Sequence, residues 1–408
     1  MPLLVLYNPV SGNSSGKQIV EEHILPLLSK HGKVTDRVVS TERPGHAGSL
    51  VVNFIDQFPA KDRVVIDIVL VSGDGTLHEI VNLLDEECAR RGDSKPFPRF
   101  RIALIPGGTA NALHSSFFPQ STGTETSSHQ FASLDAFLGP TPSAKTLTLS
   151  HTVITPPHAS SQDSETRAHT SVVSVVVTST SLHASILHDS EALRKGMPGI
   201  ERFKVAAQQN ATRWYHSRVR LLPFPPSSSV QRYDPVTDAF VPVSEAETEL
   251  DGPFAYFLST INVDRLEPAF RISPLARSHP SASTNHEDGA IDVVVVRPKR
   301  DPSVKDETEE TRTRFTGKAW QVLGSAYADG AHVKLRYGAE GEVGEGGIGL
   351  PVVEYFRVGG WEWIPDKADE EARLLCADGT IFTIPPGGKA LSMILSQTSH
   401  KLDLAVYI

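Results

Sequence analysis

The sequence of 408 residues has only two cysteines, Cys88 and Cys376, and they lie far apart in the chain. Two such residues cannot form a disulfide framework or, by themselves, a zinc site, and a reducing compartment is therefore favoured. No basic N-terminal region precedes a longer apolar segment, so a secretory signal is not expected. The longest apolar runs, such as Val172–Val177 and Val293–Val296, are much shorter than a membrane span. We expect a cytoplasmic protein that associates with membranes transiently and at their surface.

An excess of positive charge is also absent. The formal net charge is -9 and the isoelectric point is near 6.0, which argues against nucleic acid as the main partner. The C-terminal residues Val406-Tyr407-Ile408 contain no cysteine box for lipidation. Hydrophobic residues make up 39% of the sequence, enough for a sizeable core. The length favours two domains, and nothing in the sequence indicates an oligomeric state.

The first third of the sequence alternates between strand-like and helix-like segments. Strands are predicted at Leu3–Tyr7, Val34–Ser40, Val64–Val71 and Arg101–Ile105, and helices at Gln18–Lys30, His46–Asp56 and Leu77–Arg91. The third strand is almost wholly apolar, which is typical of a strand covered on both faces. This alternation predicts an α/β domain with a parallel, helix-covered sheet over residues 1–144.

Beyond residue 144 the sequence becomes rich in strand-like segments with few helices between them. Strands are predicted at Lys145–Ile154, Thr170–Thr178, Ser217–Leu222, Phe254–Asn262, Ala290–Arg297, Val333–Arg336 and Val352–Gly359, with one helix at Ser190–Arg213. Surface loops are predicted at Ser121–Gln130, Thr155–Ala168, Pro223–Glu249, Arg297–Arg314 and Gly338–Gly349. We therefore expect a second, mostly antiparallel domain over residues 145–408.

Three glycine-rich turns each follow a predicted strand of the first domain. They are Asn8-Pro9-Val10-Ser11-Gly12, Ser72-Gly73-Asp74-Gly75-Thr76 and Pro106-Gly107-Gly108-Thr109-Ala110-Asn111. Glycine lets backbone N–H groups approach an anion closely, and a helix N-terminus adds free donors and a favourable dipole. Because loops at the carboxyl ends of parallel strands form the ligand crevice, the three turns together predict a site for a ligand that carries phosphate.

Each turn taken alone is a weaker indication, because Asn, Pro, Ser and Gly are also ordinary turn residues. None of the turns fits the dinucleotide-binding pattern G-x-G-x-x-G or the P-loop pattern. Hydrolase classes are not favoured either. His183 and His188 are five residues apart, off a common helix face, and Ser115-Ser116 lacks a G-x-S-x-G elbow.

The three turns, in this order and spacing, resemble the catalytic domain shared by diacylglycerol, sphingosine and ceramide kinases. The segments that carry the resemblance are Asn8–Gly12, Ser72–Asn82 and Pro106–Ala112, with Thr41-Glu42-Arg43, His46-Ala47 and the serine before Gly73 closer to the sphingosine kinase branch. Weaker similarity continues at Ser185–Arg202, Asp288–Asp292 and Asp378-Gly379. The resemblance implies a nucleotide-binding α/β domain of the NAD kinase and diacylglycerol kinase type. It also implies a β-sandwich-like lipid-substrate domain, a site in the cleft between the two, and C-terminal residues that return to that cleft.

The resemblance implies ATP and Mg²⁺ as cofactors and a lipid as the substrate. Asp74 would activate the lipid hydroxyl, directly or through Mg²⁺-bound water, in a reaction where the protein mainly positions the partners and neutralises charge. The residues placed at ATP are Asn8, Pro9, Ser11, Gly12, Thr41, Ser72, Gly73, Gly75, Thr76, Glu79, Gly107, Gly108, Thr109, Asn111, Arg194, Arg202, Asp378 and Gly379.

Structural alternatives remain open for the charged members of this set. Asp74 is equally placed to cap the helix that follows it, and Glu79 to interact with the dipole of that helix. Arg194 and Arg202 occupy the positions at which the family holds the ATP phosphates, a task that suits a forked, permanently charged guanidinium. The charged residues around these arginines are equally typical of a solvated helix face.

The sequence departs from the family pattern at three places. Thr380 stands where the family has a glutamate near its catalytic aspartate and metal. Leu187 stands where sphingosine kinases use an aspartate to hold the amine of the substrate, so a sphingoid base needs another charged partner, and Asp189 is a nearby candidate. Ala110 replaces a glycine, a change that costs more if the backbone φ there is positive.

The sequence thus predicts an ATP- and Mg²⁺-dependent lipid kinase that phosphorylates a primary hydroxyl, most readily that of a sphingoid base. A diacylglycerol or ceramide kinase is the first alternative. A protein that binds nucleotide and lipid without turnover is the second. An NAD kinase-like activity is less favoured, because the Thr41–Ala47 segment and the two-domain similarity belong to the lipid kinases.

Overall fold

The computed structural model describes residues 1–58, 64–92, 96–120, 127–157, 169–197, 199–223, 229–278, 290–395 and 401–408. It divides the chain into two compact units. The first unit comprises Met1–Leu149, Leu266–Pro268 and Leu395–Ile408, and the second Ser150–Arg265 and Ala269–Ile394. The sequence predicted a boundary at residue 144 with the C-terminal residues in the second domain. The structure instead draws the boundary at Leu149 and assigns the last strand to the first unit.

The strands, in chain order, are β1 Leu3–Tyr7, β2 Arg37–Ser40, β3 Val65–Ser72, β4 Arg99–Pro106, β5 Ala144–Thr146, β6 Ser150–Thr155, β7 Thr170–Ser174, β8 Val177–Thr180, β9 Ser217–Leu222, β10 Gln231–Asp234, β11 Ala239–Pro242, β12 Glu249–Asp251, β13 Tyr256–Thr260, β14 Ile291–Val296, β15 Arg336–Tyr337, β16 Val343–Gly344, β17 Glu354–Val358, β18 Gly360–Pro365, β19 Leu374–Ala377, β20 Thr380–Thr383, β21 Lys389–Ile394 and β22 Asp403–Tyr407. The helices are Gly16–Ile19, which continues through the π-helical turn Val20–Ile24 into Leu25–Lys30, then His46–Ile55, Asp74–Arg91, Ala112–Phe117, Ser127–Gln130, Ala132–Leu138, Ser181–Leu193, Glu201–Asn210, Leu275–Ser278 and Glu309–Tyr327.

The first unit is built on a six-stranded sheet in the order β2-β1-β3-β4-β22-β5. The pairs β1–β2, β1–β3, β3–β4 and β4–β22 are parallel, and only the short β5 is antiparallel to its neighbour. One face buries Val5, Val69 and Ile105 against apolar residues of the helices Gly16–Lys30 and Ala132–Leu138. The prediction of a parallel, helix-covered sheet is confirmed.

The second unit contains two antiparallel sheets. Their orders are β11-β10-β17-β14-β13-β8-β19-β20 and β12-β9-β18-β21-β6-β7. Side chains from the two sheets pack face to face: the Trp361 ring of β18 lies 5.2 Å from the Phe257 ring of β13, and the Trp361 Nε1–H donates to Ser259 Oγ. Burial of such large aromatic side chains supplies much of the driving force for folding. The prediction of mostly antiparallel strands in this part of the chain is therefore confirmed.

Several local predictions for the second unit were wrong. The predicted helix Ser190–Arg213 is two helices, Ser181–Leu193 and Glu201–Asn210, because glycines and a proline lie between them. Of the predicted strand Val333–Arg336, the first two residues belong to the 3₁₀ turn Ala331–Lys334, and Arg336 begins the short strand β15.

Segments predicted as loops also contain regular structure. Pro223–Glu249 holds the hairpin β10–β11, Gly338–Gly349 holds β16, and Arg297–Arg314 includes the start of the helix Glu309–Tyr327. In Ser121–Gln130 the last four residues are helical, whereas residues 121–126 lie outside the described residues, as do residues 158–168 of the predicted loop Thr155–Ala168.

Candidate functional site

The three glycine turns lie at one edge of the first sheet. β1, β3 and β4 are adjacent and parallel, so their carboxyl ends point the same way. Each strand leads through a turn into a helix, and these helices begin at Gly16, Asp74 and Ala112. The fold therefore brings the three turns together, as the sequence analysis predicted from the parallel order.

The glycines of the three turns touch one another. A Cβ on Gly12 would lie 2.5 Å from the backbone oxygen of Gly107, and one on Gly108 would lie 2.5 Å from the Cα of Gly73. A Cβ on Gly16 would lie 2.9 Å from the backbone oxygen of Asn8. Contacts this short exclude a side chain unless the backbone moves, so glycine is required by packing at these positions.

Hydrogen bonds fix the first two turns to each other. Asn8 donates its backbone N–H to the Val71 carbonyl at 3.1 Å and its side-chain amide to Thr76 Oγ1 at 3.4 Å. Thr76 Oγ1 also lies 2.5 Å from Ser72 Oγ. The buried Thr41 donates its N–H to the Tyr7 carbonyl at 3.0 Å, so it follows β2 beside the first turn.

Asn111 organises the third turn. Its Oδ1 accepts the Gly108 N–H at 2.8 Å, and its Nδ2 donates to the Gly108 carbonyl at 2.8 Å. Asn111 itself has a left-handed backbone, with φ of 52°. Ala110 does not share that conformation, so its Cβ brings none of the strain that replacement of the family glycine would cause at positive φ.

Asp74 begins its own helix, three residues earlier than predicted, and Gly73 is the N-cap of that helix without a side-chain hydrogen bond. The Asp74 carboxylate instead accepts the N–H of Ala112 at 2.6 Å and the N–H of Leu113 at 3.3 Å. It therefore caps the helix after the third turn rather than its own helix, and it ties the second turn to the third. The side chain is half-buried.

A small cavity lies beside Asp74, with a volume of about 10 Å³. It is lined by Ser72, Gly73, Asp74, Leu77, Leu104, Ile105, Pro106, Asn111 and His114. His114 is 4% exposed, and burial, followed by the nearby His129, lowers its pKa to about 4. His114 was not among the residues predicted from the sequence, although it stands three residues after Asn111 on the helix that Asp74 caps.

The remaining predicted residues of the first unit lie on the same turns and on the helix after β3. Ser11 donates its N–H to the Asn8 carbonyl at 3.4 Å, which closes the first turn around Pro9. Gly75 and Thr109 are exposed. Glu79 is half-buried, and its carbonyl would lie 2.9 Å from a Cβ on Gly48, because the two helices pack closely there.

Arg194 and Arg202 belong to the second unit. Arg194 follows the helix Ser181–Leu193 and pairs with Glu191 at 2.9 Å on the surface. Arg202 is buried in the helix Glu201–Asn210, where its guanidinium lies 4.4 Å from the ring centre of Phe203. Burial, then the positive charge of Arg194, lowers the pKa of Arg202. The two arginines are thus close enough to repel each other.

Asp378 and Gly379 form the turn between β19 and β20. The Asp378 carboxylate accepts the backbone N–H groups of Val175, Val176 and Val177 at 2.8 to 2.9 Å. Asp378 is buried with φ of 46°, and Gly379 has φ of 94°. These contacts hold the link between β7 and β8 in place. Thr380, in place of the family glutamate, is exposed.

Leu187 and Asp189 lie on the helix Ser181–Leu193. Leu187 packs against a small apolar cluster formed by Ala184, Leu374 and Cys376. Asp189 accepts from Asn210 Nδ2 at 2.7 Å and lies 2.8 Å from His188 Nδ1. Burial alone would raise the pKa of Asp189, but these hydrogen bonds outweigh it, and the net effect is to lower the pKa.

Within the described ranges, no group of three or more His, Cys, Asp or Glu side chains is arranged to hold a metal ion. None of the helices in that part of the chain combines the length and apolarity needed to cross a bilayer.

The three turns lie within a segment that matches a known protein family. Residues 2–135 match the family model described as "Diacylglycerol kinase catalytic domain". Human sphingosine kinase 2 is 34% identical over 125 residues, which cover 29% of this chain and 17% of that protein. Sphingosine kinase 1 of Arabidopsis thaliana is 27% identical over 226 residues, which cover 55% and 40% respectively. The matches thus span less than half the length of these relatives.

A solved structure shares the fold over nearly the whole chain. The crystal structure of a putative diacylglycerol kinase from Bacillus anthracis superposes with a TM-score of 0.51 at 12% identity. The superposition covers 100% of this chain and 97% of the other. At this identity the match concerns the fold.

Proposed function

We propose, from the match of residues 2–135 to the diacylglycerol kinase catalytic domain, that the chain is a lipid kinase that transfers the γ-phosphoryl group of ATP to a lipid hydroxyl. The observation that carries the proposal is the contact between the glycines of the three turns at one sheet edge. Phosphoryl transfer depends mainly on positioning and on neutralising charge, and this edge is suited to both.

ATP is assigned to this edge because three glycine-rich turns meet there. Side chains are excluded at Gly12, Gly73 and Gly108 by contacts of 2.9 Å or less, so the backbones of the three turns lie close together. The 18-residue helix that begins at Asp74 adds free N–H donors and the positive end of its dipole. We assign the triphosphate to these turns, and the adenosine part to Asn8, Thr41 and Glu79.

Asp74 is assigned as the group that takes the proton from the lipid hydroxyl. Its two hydrogen bonds from Ala112 and Leu113 fix the direction of the carboxylate, as a positioned base requires. The described residues contain no group of three or more ligands for a metal, so a Mg²⁺ ion would be held chiefly by the nucleotide phosphates, with Asp74 as a ligand through water. When bound, the ion would supply positive charge at the transferring phosphoryl group.

Arg194 and Arg202 are assigned to the ATP phosphates. Burial, then the positive charge of Arg194, lowers the pKa of Arg202, and an anion bound beside the two guanidinium groups would offset both effects. Asp378 and Gly379 were predicted at ATP as well. Because the Asp378 carboxylate is engaged by three backbone N–H groups, we assign it a role in shaping the turn, and its contact with ATP stays a prediction.

A sphingoid base is the first candidate for the acceptor. The two relatives described above are named sphingosine kinases, and a lipid with a primary hydroxyl is consistent with the proposed chemistry. A protein that works on such a lipid would contact membranes at their surface.

One observation favours a neutral lipid such as a diacylglycerol or a ceramide as a second candidate. Leu187 packs against apolar residues where sphingosine kinases have an aspartate, and the Asp189 carboxylate already accepts from Asn210. An ammonium group removed from water needs a charged partner. A neutral headgroup does not, so a chain with leucine at this position suits a substrate without an amine.

The test is transfer of labelled phosphate from ATP, with Mg²⁺, to a panel of sphingosine, diacylglycerol and ceramide in mixed micelles. We expect transfer to one class, and we expect Asp74→Asn to lower kcat by at least about 100-fold, because general base catalysis is worth about 10² to 10⁴. Asp135→Asn is the matched control. Asp135 is an exposed carboxylate in the first turn of the helix Ala132–Leu138 of the same unit, away from the turns.

Three outcomes discriminate between the hypotheses. Transfer to sphingosine alone supports a sphingoid-base kinase, and transfer to a neutral lipid alone supports the second candidate. Binding of ATP without transfer to any lipid contradicts the proposal and supports a protein that binds without turnover. Full activity of Asp74→Asn would contradict the role of Asp74 while leaving the kinase activity in place.

A further inference from the structure

The His114 side chain is buried without a hydrogen-bond partner for one of its ring nitrogens. It is 4% exposed, and among the described residues its Nε2 has no partner. The ring packs against Phe118 at 5.1 Å and edge-on against His129 at 5.3 Å, which holds it in place without satisfying Nε2. A buried polar atom without a partner is costly, so an atom outside the protein is expected to fill the gap.

The cavity beside Asp74 offers the place for that atom. His114 and Asp74 both line it, together with the polar Ser72 and Asn111. Its volume of about 10 Å³ is at the lower limit for one water molecule. The cavity therefore has the size and the polar lining that a single buried water requires.

His114 and Asp74 are also linked through the backbone. The Asp74 carboxylate accepts the N–H groups of Ala112 and Leu113, the two residues that directly precede His114. The backbone that carries the imidazole is therefore continuous with the two donors that direct the carboxylate. The connection is short and passes through one turn of helix.

We infer that His114 is a positioning residue for Asp74. Both residues line the cavity, and a water there joins the neutral imidazole to the Asp74 side of the cavity. Together with the Ala112 and Leu113 donors, this water fixes the carboxylate. The catalytic part of this inference rests on the proposed kinase function. The part that concerns the water and the state of the imidazole does not.

The neutral imidazole is well suited to this role. Burial lowers the pKa of His114 to about 4, so at neutral pH the ring keeps one donor nitrogen and one acceptor nitrogen. A protonated ring would have two donors and no acceptor. A neutral ring bridges through water without adding a positive charge beside the proton acceptor.

The first experiment is independent of activity. Nitrogen-15 NMR of the imidazole rings in the full chain reports tautomer and titration, and a crystal structure at high resolution locates the water. We expect a single neutral tautomer of His114 from pH 5.5 to 8, a water within hydrogen-bond distance of Nε2, and a changed His114 signal in Asp74→Asn. His332 is the control, because it is buried in the second unit with Nε2 3.0 Å from the Ile272 carbonyl, and its signal should not change.

The second experiment measures kinetics with the lipid that the panel identifies. His114→Phe keeps a ring of similar size and removes both nitrogens, and we expect kcat to fall about three- to tenfold, the worth of one hydrogen bond, with the KM for ATP changed less than about twofold. His114→Gln restores a hydrogen-bonding atom, and we expect it to recover part of the lost kcat. A merely structural role would lower stability without this split or rescue.

The outcomes distinguish a failure of the inference about His114 from a failure of the proposed kinase function. A dry cavity, a His114 that titrates near its ordinary value, or a His114 signal unaffected by Asp74→Asn overturns the inference even if the protein is an active kinase. Absence of transfer to any lipid contradicts the proposed function, while the NMR and crystallographic results still decide whether the water and the neutral ring are present.

Discussion

Single glycines carry the closest contacts of the candidate site, and Gly108 has the tightest environment among them. A Cβ at Gly108 would lie 2.5 Å from the Cα of Gly73, 3.1 Å from its nitrogen and 3.0 Å from Asn111 Oδ1. Two of these neighbours are backbone atoms, which cannot move aside by changing a rotamer. The second and third turns must therefore separate to admit even a methyl group.

We predict that Gly108→Ala weakens ATP binding by more than about tenfold and lowers the free energy of unfolding by about 1–3 kcal/mol, the usual cost of overpacking. Calorimetry of ATP binding and urea unfolding measure the two effects. Gly139→Ala is the control, because a Cβ there would make only contacts of 3.4 and 3.5 Å with backbone oxygens. Unchanged affinity in Gly108→Ala would show that the contact between these turns does not matter for the nucleotide.

The sequence predicted this part of the site well and His114 not at all. Gly73, Gly108 and Asp74 were found because three glycine-rich turns each follow a predicted strand, and the parallel order brings the ends of β1, β3 and β4 together. The importance of His114 depends on burial and on a cavity that only the packed structure defines. The partners of the Asp74 carboxylate could not be predicted either, because Ala112 and Leu113 donate backbone N–H groups, which every residue except proline carries.

At the scale of elements, the strand β22 brings a segment from far along the chain into the sheet of the first unit. It lies between β4 and β5, parallel to β4, although more than three hundred residues separate the paired Arg99 and Asp403. The buried Tyr407 donates its hydroxyl to Asp67 Oδ1 of β3 at 2.7 Å, and its carbonyl accepts from Ser133 Oγ at 2.7 Å. The end of the chain is thus anchored by side chains as well as by the sheet.

We predict that Tyr407→Phe lowers the free energy of unfolding of the first unit by about 1–3 kcal/mol, because it removes a partner from a buried carboxylate. Burial already raises the pKa of Asp67, and the Tyr407 hydroxyl opposes that effect. Urea unfolding followed by circular dichroism measures the change. Tyr7→Phe in β1 is the control, since no hydrogen bond of its hydroxyl is found within the described residues. Equal effects of the two variants would contradict the anchoring role.

Elements formed by distant pairing were the ones that the sequence did not predict. The position of β22 depends on partners far away in the chain, and no local pattern records them. The helix Glu309–Tyr327 was missed for another reason: Gly317 and Gly324 interrupt its exposed face and weaken the helical period. Its start did leave a signal, because Thr308 caps it by accepting the Thr311 N–H at 3.3 Å, and Glu309 follows directly.

At the scale of the whole molecule, buried neutral histidines link stability to pH in both units. His114 lies in the first unit and His332 in the second, and burial lowers the pKa of each to about 4. In the unfolded chain both side chains titrate near 6.5. As the pH falls below about 6.5, the unfolded chain binds protons at these histidines and the folded chain does not. The folded state therefore loses stability until the pH reaches about 4.

The second unit offers a direct measurement of this effect. All four tryptophans of the sequence, Trp214, Trp320, Trp361 and Trp363, belong to it, so their fluorescence follows its unfolding in urea. We predict that the free energy of unfolding falls as the pH is lowered from 6 to 4.5. His332 alone contributes a slope of up to about 1.4 kcal/mol per pH unit, the value for one proton that the unfolded chain binds and the folded chain does not. His332→Gln removes that proton while its amide can still donate to the Ile272 carbonyl, so the slope should decrease by about one proton.

The exposed His31 provides the control His31→Gln, with an unchanged slope. An identical pH dependence in His332→Gln and the unmodified chain would mean that His332 takes up its proton in the folded state, which its complete burial against the Ile272 carbonyl argues against.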